Sequence, residues 1–451
     1  MTAIDPPVGL QRRKVIGFDS WTSGSHHFQR LQEPLRSRGL DLILVHIGSW
    51  GSDTGRPREE QLGDLVVRDI SAYGGRNLAE VLDRENPAAV IFLSTDTFAH
   101  RAFNRFCRQR NLPTINLYHG LVRVQAVDEG SPYQLNLWAH ARFVSSRLLK
   151  ALTLTWPTYT GALWSTGATP RDWLRFLRDI FYGGLGRFSL ISAEDARTDK
   201  CCVYVAADIE HAIRKYNFKR ENVTAVGNPD LARFGVRPDS IGAHLSRRDT
   251  GRSDVMYVDT GLIHTGFVFK SADEFEQHIA TTARSLARDG RRLVFKPHPD
   301  HLRTNILSRL TEARIEVCSN ANFVSRLERC GACIVEPSSL AIVPALLGMP
   351  VFLARYGPLA GQRYGEVLRS YPRAMLLSSL TDFDAQLERE RDCCSIEEAR
   401  RWIRENTGPL PAEQMPHRVA ELVAQLIEER ASSSQSAEAP QISHRDVGLT
   451  P

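Results

Sequence analysis

The stretch VEPSSLAIVPALLGMPVF, residues 335–352, contains one complete strand–helix–strand step. It starts at the end of the apolar segment GACIV (331–335) and breaks into the polar residues EPSS (336–339). It then continues as the helical pattern LAIVPALLG (340–348) and returns to the apolar segment MPVFLA (349–354). Continuous apolar strands that alternate with helices are typical of a parallel sheet covered on both faces. This stretch therefore predicts an α/β domain with a doubly wound parallel sheet.

The same alternation continues along most of the chain, in two series. The strands predicted in the first series are KVIGFDS (14–20), LDLILVHIG (40–48), LVVRDI (65–70), AAVIFLST (88–95), PTINLYHG (113–120), CCVYVAA (201–207) and one within NVTAVGNPDL (222–231). Those of the second series are DVMYVDTG (254–261), RRLVFKPHP (291–299), RIEVCS (314–319), GACIVEPSS (331–339), MPVFLA (349–354) and RAMLLSS (373–379). A polar, glycine-containing segment separates the two series, so the sequence predicts two α/β domains.

We place an N-terminal α/β domain over residues 13–245 and a C-terminal α/β domain over 253–390. Amphipathic patterns over 395–430 predict further helices. The segment 431–451 is rich in Ser, Ala and Pro, which favours a disordered tail.

Composition excludes several classes of protein. The chain has 451 residues, of which 42% are hydrophobic and 24% charged, so it is globular and long enough for more than one core. A net charge of +5 without a basic stripe argues against nucleic-acid binding. No apolar run approaches the roughly 20 residues that span a bilayer, and the first residues have no signal-peptide core, which predicts a cytoplasmic protein. The eight cysteines have no zinc-ligand spacing, so we expect reduced thiols and neither a metal nor a cofactor.

Residues 140–190 interrupt the α/β rhythm. They hold three of the seven tryptophans together with several arginines. One interpretation is a helical insertion that packs on the first domain. The other is a surface for a lipid or a glycan acceptor, with peripheral contact with a membrane, because Trp, Tyr and Arg suit such interfaces.

The residues that follow each strand are the candidates for a ligand site, since ligands of open parallel sheets bind beyond the carboxyl ends of the strands. Ser338 and Ser339 lie where a predicted strand gives way to a helix, a position suited to phosphate, although one serine could simply cap the helix. Lys296 offers a point charge for phosphate. His298, held between two prolines, can donate a hydrogen bond to a phosphoryl oxygen.

Three more residues complete the candidate donor site. Glu336 could accept hydrogen bonds from ribose hydroxyls. Thr260 and Gly261 belong to the DTG segment (259–261) that ends the first strand of the second series.

Two of these segments resemble a known family. FKPHPDH (295–301) and the Ser-Ser stretch resemble the paired His-Pro and Ser-Ser motifs of two-domain GT-B glycosyltransferases. The nearest pattern is that of bacterial capsule polysialyl, sialic acid and Kdo transferases and of CDP-glycerol glycerophosphotransferases. VTAVGNPDLARFGV (223–236) is similar to the GNP segment of the last family and of UDP-N-acetylglucosamine 2-epimerases. The resemblance covers roughly residues 200–355.

The resemblance implies a fold and an activity. The fold is GT-B, with two doubly wound Rossmann-like domains that face each other across a cleft. The activity is metal-independent transfer of a sugar or polyol phosphate from a nucleotide-activated donor to a surface polysaccharide or glycolipid acceptor. It further implies that His298, Ser338 and Ser339 bind the donor phosphate, assisted by Lys296, and that the first domain holds the acceptor and the base.

Several residues are candidates for the general base that deprotonates the acceptor hydroxyl. His119, in YHG (118–120), is similar to the His-Gly of the glycerophosphotransferases. Asp19 and Asp96 follow predicted strands of the first series. Asp128 and Glu129, in VDEG (127–130), resemble the acidic motif of capsule sialyltransferases. The sequence leaves the choice among them open.

Two other functions fit the same fold. One is an isomerase of the sugar-nucleotide 2-epimerase type, which needs several carboxylates around the sugar. The other is a non-catalytic protein that binds glycan without nucleotide.

Overall fold

The structure is a computed structural model, and some parts of the chain are left undescribed. It describes residues 12–19, 24–50, 57–75, 77–121, 151–182, 194–246, 254–265, 268–298, 310–311, 315–337 and 339–438. The candidates Asp128, Glu129 and Ser338 lie outside these residues.

Two sheets form the framework, and both agree with the predicted fold class. The first consists of β1 (Arg13–Asp19), β2 (Leu40–His46), β3 (Glu59–Leu62), β4 (Leu65–Asp69), β5 (Ala89–Phe92), β6 (Thr114–Leu117), β7 (Lys200–Val203) and β8 (Val223–Ala225). The second consists of β9 (Asp254–Val258), β10 (Arg292–Lys296), β11 (Glu316–Val317), β12 (Ala332–Val335), β13 (Val351–Ala354) and β14 (Ala374–Leu377). Every strand predicted from the sequence is present, so the α/β prediction is confirmed.

The strand orders are those of doubly wound sheets. The second sheet runs β11-β10-β9-β12-β13-β14, and all of its pairings are parallel. The chain therefore starts in the middle at β9, winds to one side, and returns to β12 to wind to the other. The first sheet runs β3-β4-β2-β1-β5-β6-β7-β8 and reverses in the same way between β1 and β5. Ligands of such folds bind at these reversal points.

Strand β3 is the strand that the sequence analysis missed. It pairs antiparallel with β4 through a tight turn in which Gly63 has a φ of 61°. Its sequence, EEQL, has no apolar run, because it lies at the edge of the sheet and its residues are largely exposed. Charged residues on an edge strand discourage pairing with other chains.

The described residues form fourteen α-helices. They are α1 (Ser25–Arg36), α2 (Leu78–Glu85), α3 (Phe98–Gln109), α4 (Trp156–Ser165), α5 (Pro170–Tyr182), α6 (Ile209–Tyr216), α7 (Pro229–Arg233), α8 (Ala272–Arg288), α9 (Phe323–Leu327), α10 (Ile342–Leu346), α11 (Glu366–Arg369), α12 (Phe383–Cys393), α13 (Ile396–Thr407) and α14 (Met415–Glu438). Among the described residues, no helix is both long and apolar enough to cross a bilayer.

The chain divides into two compact units. The first unit contains the described residues that lie within 12–117, 151–201 and 416–438. The second contains those that lie within 118–121 and 202–415. Most of α14 therefore belongs to the first unit, although it follows the second along the chain. This helix also runs past Ala431, where the sequence predicts a disordered tail, since its Ala, Ser, Gln and Glu residues tolerate an exposed helix. The domain boundaries derived from the sequence stay a prediction.

The described part of the 140–190 segment is helical and packs on the first sheet's core. Helices α4 and α5 place Tyr159, Ala162, Leu163 and Phe176 in that core. The buried guanidinium of Arg101 on α3 donates hydrogen bonds to both helices, to Tyr159 on α4 and to Asp179 on α5.

Candidate functional site

Asp259 holds two loops together at the reversal point of the second sheet. It follows β9 directly and is 2% exposed. Its Oδ1 accepts a hydrogen bond from the Gly261 N–H at 2.9 Å, and its Oδ2 accepts one from the His298 N–H at 2.8 Å. The backbone of His298, after β10, is thus held by a carboxylate from the neighbouring strand.

Glu336 lies at the end of β12, on the other side of the reversal point, and is completely buried. The Tyr257 hydroxyl donates to its Oε1 at 2.7 Å. The N–H and the hydroxyl of Thr260 donate to its Oε2 at 3.0 and 2.9 Å. The Glu336 carboxyl is therefore occupied in holding the DTG loop, so its predicted contact with a ribose stays a prediction.

Burial controls the charge of Glu336. Desolvation, followed by the nearby charge of Asp259, raises its pKa to about 8, against the opposing effect of its hydrogen bonds from Tyr257 and Thr260. Burial therefore favours the protonated form of this carboxyl.

Lys296 ends β10 with its side chain in the interior. It is 1% exposed, and its Nζ donates to the Pro297 carbonyl at 2.8 Å. The ammonium also lies 5.6 Å from the centre of the Phe323 ring, at a distance suited to a cation–π contact. Burial lowers the pKa of Lys296. Its predicted contact with donor phosphate stays a prediction, and would require the side chain to leave these partners.

The helix predicted after the Ser-Ser motif is shorter than its sequence pattern. Ser339 begins a single 3₁₀ turn, and α10 that follows has five residues. Pro344 has no N–H for the helical ladder, and Gly348, with a φ of 83°, follows the end of the helix. Since the helix dipole is a sum over aligned peptides, so short a helix contributes little charge stabilisation. For binding an anion at this position, hydrogen-bond donors of the loops therefore contribute more than the helix dipole.

The GNP segment forms a capped turn. The Asn228 side chain caps α7 by accepting from the Asp230 N–H at 3.0 Å, and Asn228 is 2% exposed. The N–H of Gly227, whose φ is 106°, donates to the Tyr204 carbonyl at 3.0 Å. Local structure alone therefore explains why Gly227, Asn228 and Pro229 are found at the start of this helix.

In the first unit, two of the base candidates follow neighbouring strands. Asp19 ends β1 and is 7% exposed, while Asp96 follows β5 and is half-buried. A Cβ on Gly24 would lie 2.4 Å from Asp19 Oδ2, so the small residue in SGSHH is needed for the α1 terminus to approach that carboxylate.

His119 belongs to the second unit. It lies two residues beyond the end of β6 and its side chain is exposed. An exposed imidazole is accessible to an acceptor hydroxyl, as a general base requires. The role of His119, like that of Asp96, stays a prediction.

Sequence reasoning missed three residues of the second unit: Asp259, Tyr257 and His278. Asp259 lies in the quoted DTG segment, and its position at a strand end was the available signal. Tyr257 has the pattern of an ordinary core residue of β9, and His278 that of a buried position on α8. Only the fold brings them to Glu336.

Among the residues described, no group of three or more His, Cys, Asp or Glu side chains is arranged to hold a metal ion. The described cysteines are free, and burial raises the pKa of Cys330 to about 12, which suppresses thiolate chemistry in the C-x-x-C segment.

Comparisons with known proteins give structural similarities at low identity. No protein-family model matches the chain, and no curated protein matches it. The chain is similar to the calicheamicin glycosyltransferase CalG4, with 14% identity, 93% of this chain and 99% of that chain covered, and a TM-score of 0.49. It is similar to the wall teichoic acid polymerase TagF, with 12% identity, 94% and 90% covered, and a TM-score of 0.47. It is also similar to MnaA of S. aureus in a co-structure with UDP, with 12% identity, 92% and 97% covered, and a TM-score of 0.47.

Proposed function

We propose that the protein is a GT-B glycosyltransferase. It transfers a sugar or a polyol phosphate from a nucleotide-activated donor to a polysaccharide or glycolipid acceptor, without a metal. The second unit binds the donor through its DTG, KPHP and EPSS loops. The general base is one of His119, Asp96 and Glu129.

The observation that carries this proposal is the joining of the three loops at the reversal point of the second sheet. Asp259 connects the DTG loop to His298, and Glu336 connects the same loop to the EPSS segment. Carboxylates below the loops hold their backbone from the interior side, which preorganises the loops for a ligand that lies above them. His298 supplies a nitrogen donor in the KPHP loop, as binding of a diphosphate requires. Lys296 supplies a second one when its side chain leaves the Pro297 carbonyl.

The acceptor side of the proposal concerns α4 and α5. Trp164 is 83% exposed and Leu174 is 67% exposed, which is unusual for residues of this size. Arg171 and Arg178 are exposed on α5, the helix that also carries Leu174. We propose that this surface contacts an anionic bilayer, in which a lipid-linked acceptor would be held.

Thermal unfolding in the presence of CMP, CDP, UDP and GDP tests the donor site. A nucleotide present at 100 times its Kd stabilises the folded protein by about 2.7 kcal/mol, which raises the Tm visibly. We expect one nucleotide class to do so. We expect the shift to disappear in the Ser338→Ala/Ser339→Ala variant, since the resemblance assigns both hydroxyls to the donor phosphate.

The matched control is Ser432→Ala/Ser433→Ala, another adjacent pair, whose hydroxyls donate to carbonyls within the exposed part of α14. This variant should keep the full nucleotide shift. Stabilisation by none of the four nucleotides would contradict the proposed function and favour a glycan-binding protein.

A further inference from the structure

Glu336 is part of a chain of hydrogen bonds that leads from the loops to His278 on α8, which lines a cavity. His278 Nε2 lies 3.2 Å from the Tyr257 hydroxyl oxygen, and that hydroxyl donates to Glu336 at 2.7 Å. The chain His278–Tyr257–Glu336 ends at Thr260, which donates to the other oxygen of the same carboxyl.

His278 is the outer end of this chain. It lines a cavity of about 670 Å³ together with the loops that follow β13 and β14. Its ring is stacked on Tyr356 with 5.0 Å between centroids. A Cβ on Gly357 would lie 3.6 Å from His278 Nδ1, so the loop after β13 passes close to this nitrogen. Burial lowers the pKa of His278 to about 4, which keeps the ring neutral and able to pass a proton from one nitrogen to the other.

Two carboxylates lie under the loops, but they differ in their surroundings. Asp259 accepts from two backbone N–H groups and interacts with the ammonium of Lys296. Among the described residues, the hydrogen bonds to Glu336 come from neutral groups, the Tyr257 hydroxyl and Thr260. Of the two carboxylates, Glu336 is therefore the one whose negative charge is poorly compensated. A phosphate bound at the same loops would add to the repulsion that Glu336 already experiences from Asp259.

Several titratable groups interact with Glu336 from the surrounding elements. They are Tyr257 on β9, Asp259 directly after β9, His278 on α8 through Tyr257, and Tyr356 and Tyr364 in the segment after β13. None of them is a cation at neutral pH, so none of them neutralises the carboxylate.

We propose that Glu336 is a positioning residue whose carboxylate takes up one proton when a nucleotide phosphate binds at the loops, and that this proton arrives through His278 and Tyr257. Water in the cavity gives a proton to His278 Nδ1, and the hydroxide left behind is neutralised by the buffer acid. His278 Nε2–H gives its proton to the Tyr257 oxygen, and the Tyr257 hydroxyl gives its own to Glu336 Oε1. His278 and Tyr257 both end neutral, and the hydrogen bonds of the chain are reversed. The inference rests on the proposed function, because it requires the phosphate to bind at these loops.

The result of this coupling is pH-dependent affinity. In the free protein, burial raises the pKa of Glu336 to about 8. Above that pH, binding restores the proton, so the Kd rises by up to about tenfold per pH unit until the carboxyl is also ionised in the complex. Below pH 8 the carboxyl is already protonated, and this contribution disappears. Nucleotide phosphates are fully ionised above about pH 7.5, so the ligand does not titrate in this window.

Titration calorimetry of the full chain at pH 8.5 counts the protons taken up. UDP, CDP, GDP and CMP are each titrated in buffers of different ionisation enthalpy. We expect the wild-type protein to take up between zero and one proton with the nucleotide that binds. Glu336→Gln, which resembles the protonated acid, should take up close to none and should bind with a Kd that changes little between pH 7.5 and 9.5. Glu413→Gln, which changes an exposed carboxylate of the same type, should behave as wild type.

A second variant keeps the test decisive if Glu336→Gln folds poorly. Tyr257→Phe removes the donor that stabilises the ionised Glu336, so the pH at which the Kd begins to rise should move upward. Nucleotide binding with equal proton uptake in wild type and Glu336→Gln, or an unmoved pH profile in Tyr257→Phe, overturns the inference and leaves the proposed function standing. Binding of none of the four nucleotides at any pH overturns both.

Discussion

At the scale of single residues, two carboxyl groups follow strands of the second unit, Glu336, which the sequence predicts as a ligand contact, and Asp259, which it does not. Glu336 and Asp259 are buried under the loops and face inward, so their immediate effect is on the conformation of Thr260, Gly261 and His298. An enzyme that binds a diphosphate needs loops held in one geometry, because each donor that must be ordered on binding costs affinity.

Burial of Glu336 has a consequence for stability that needs no ligand. Its pKa is raised from 4.5 to about 8 on folding, so between these pH values the folded state holds a proton that the unfolded chain has lost. The free energy of unfolding should therefore fall as pH rises from about 5 to 8, by at most about 1.4 kcal/mol per pH unit. Glu336→Gln should remove this part of the slope and be more stable than wild type at pH 9.

Urea unfolding at pH 5, 7 and 9 measures the effect. Glu413→Gln is the control, since the Glu413 side chain is already exposed to water in the folded protein. A Glu336→Gln protein that is less stable than wild type by the same amount at all three pH values would contradict the raised pKa.

At the scale of elements, a buried ionic cluster joins the helical insertion to the first sheet's core. Arg101 on α3 is 1% exposed and bonds Asp179 on α5 at 2.7 Å and Asp195 at 2.9 Å. It also donates to the Tyr159 hydroxyl on α4 at 2.8 Å, and that hydroxyl donates to Asp195 in a short hydrogen bond. One guanidinium therefore connects four segments that are separate in the sequence: α3, α4, α5 and the turn that contains Asp195.

Arg101→Ala should reduce the free energy of unfolding by about 3–5 kcal/mol, because it removes the buried guanidinium that bonds both carboxylates. The ion pairs of Asp195 with Arg105 and of Asp179 with Arg178 are longer, at 3.7 Å. The control is Arg84→Ala, which removes an exposed pair with Glu80 on α2 and should cost less than about 1 kcal/mol. Chemical unfolding of both variants provides the comparison. Equal, small losses would mean that the insertion is not anchored by this cluster.

The outer face of the insertion makes a separate prediction. The triple variant Trp164→Ala/Leu174→Ala/Leu177→Ala should lose most of its binding to vesicles that contain anionic lipid, measured by co-sedimentation, while its Tm stays close to that of wild type. The control is Leu376→Ala/Ile396→Ala, which removes two comparably exposed apolar side chains elsewhere. Unchanged vesicle binding in the triple variant would exclude this face as the membrane contact. A loss of dimers instead would identify it as an interface between copies of the chain.

At the scale of the whole molecule, the chain returns to its first unit at its C-terminal end. Arg430 on α14 donates to Asn111 at 2.7 Å and to Asp199 at 2.8 Å. From residue 416 onward, the same helix buries several apolar side chains along one face, the larger of which are Val419, Val423, Leu426 and Ile427. Each such burial contributes roughly 1.5–3 kcal/mol.

Deleting residues 416–451 should therefore unfold or strongly destabilise the first unit, whereas deleting 439–451 should leave the Tm nearly unchanged. Differential scanning calorimetry of both shortened proteins and the full chain measures this. A protein that loses 416–451 and melts like the full chain would show that α14 is dispensable.

The sequence by itself determined the fold class and the places where strands end. Period-two and continuous apolar runs report burial in a sheet directly, so β9, β10 and β12 and the polar segments after them were predicted within a few residues. Local patterns failed where the stabilising partner is distant in the chain. Strand β3 has no apolar run because only its edge pairing makes it a strand. The length of α10 is a different case, because Pro344 and Gly348, which interrupt the helix, are present in the sequence pattern itself.

Only the tertiary structure decided what the side chains at those strand ends do. Along the chain, Tyr257 is 21 residues from His278 and 79 residues from Glu336, and no spacing rule connects the three residues. Lys296 and Glu336 have the residue types of ligand contacts, yet both side chains are buried and occupied by internal partners. The physical reason is that charge, burial and hydrogen-bond geometry depend on distances through space, which the order of residues in a chain does not contain.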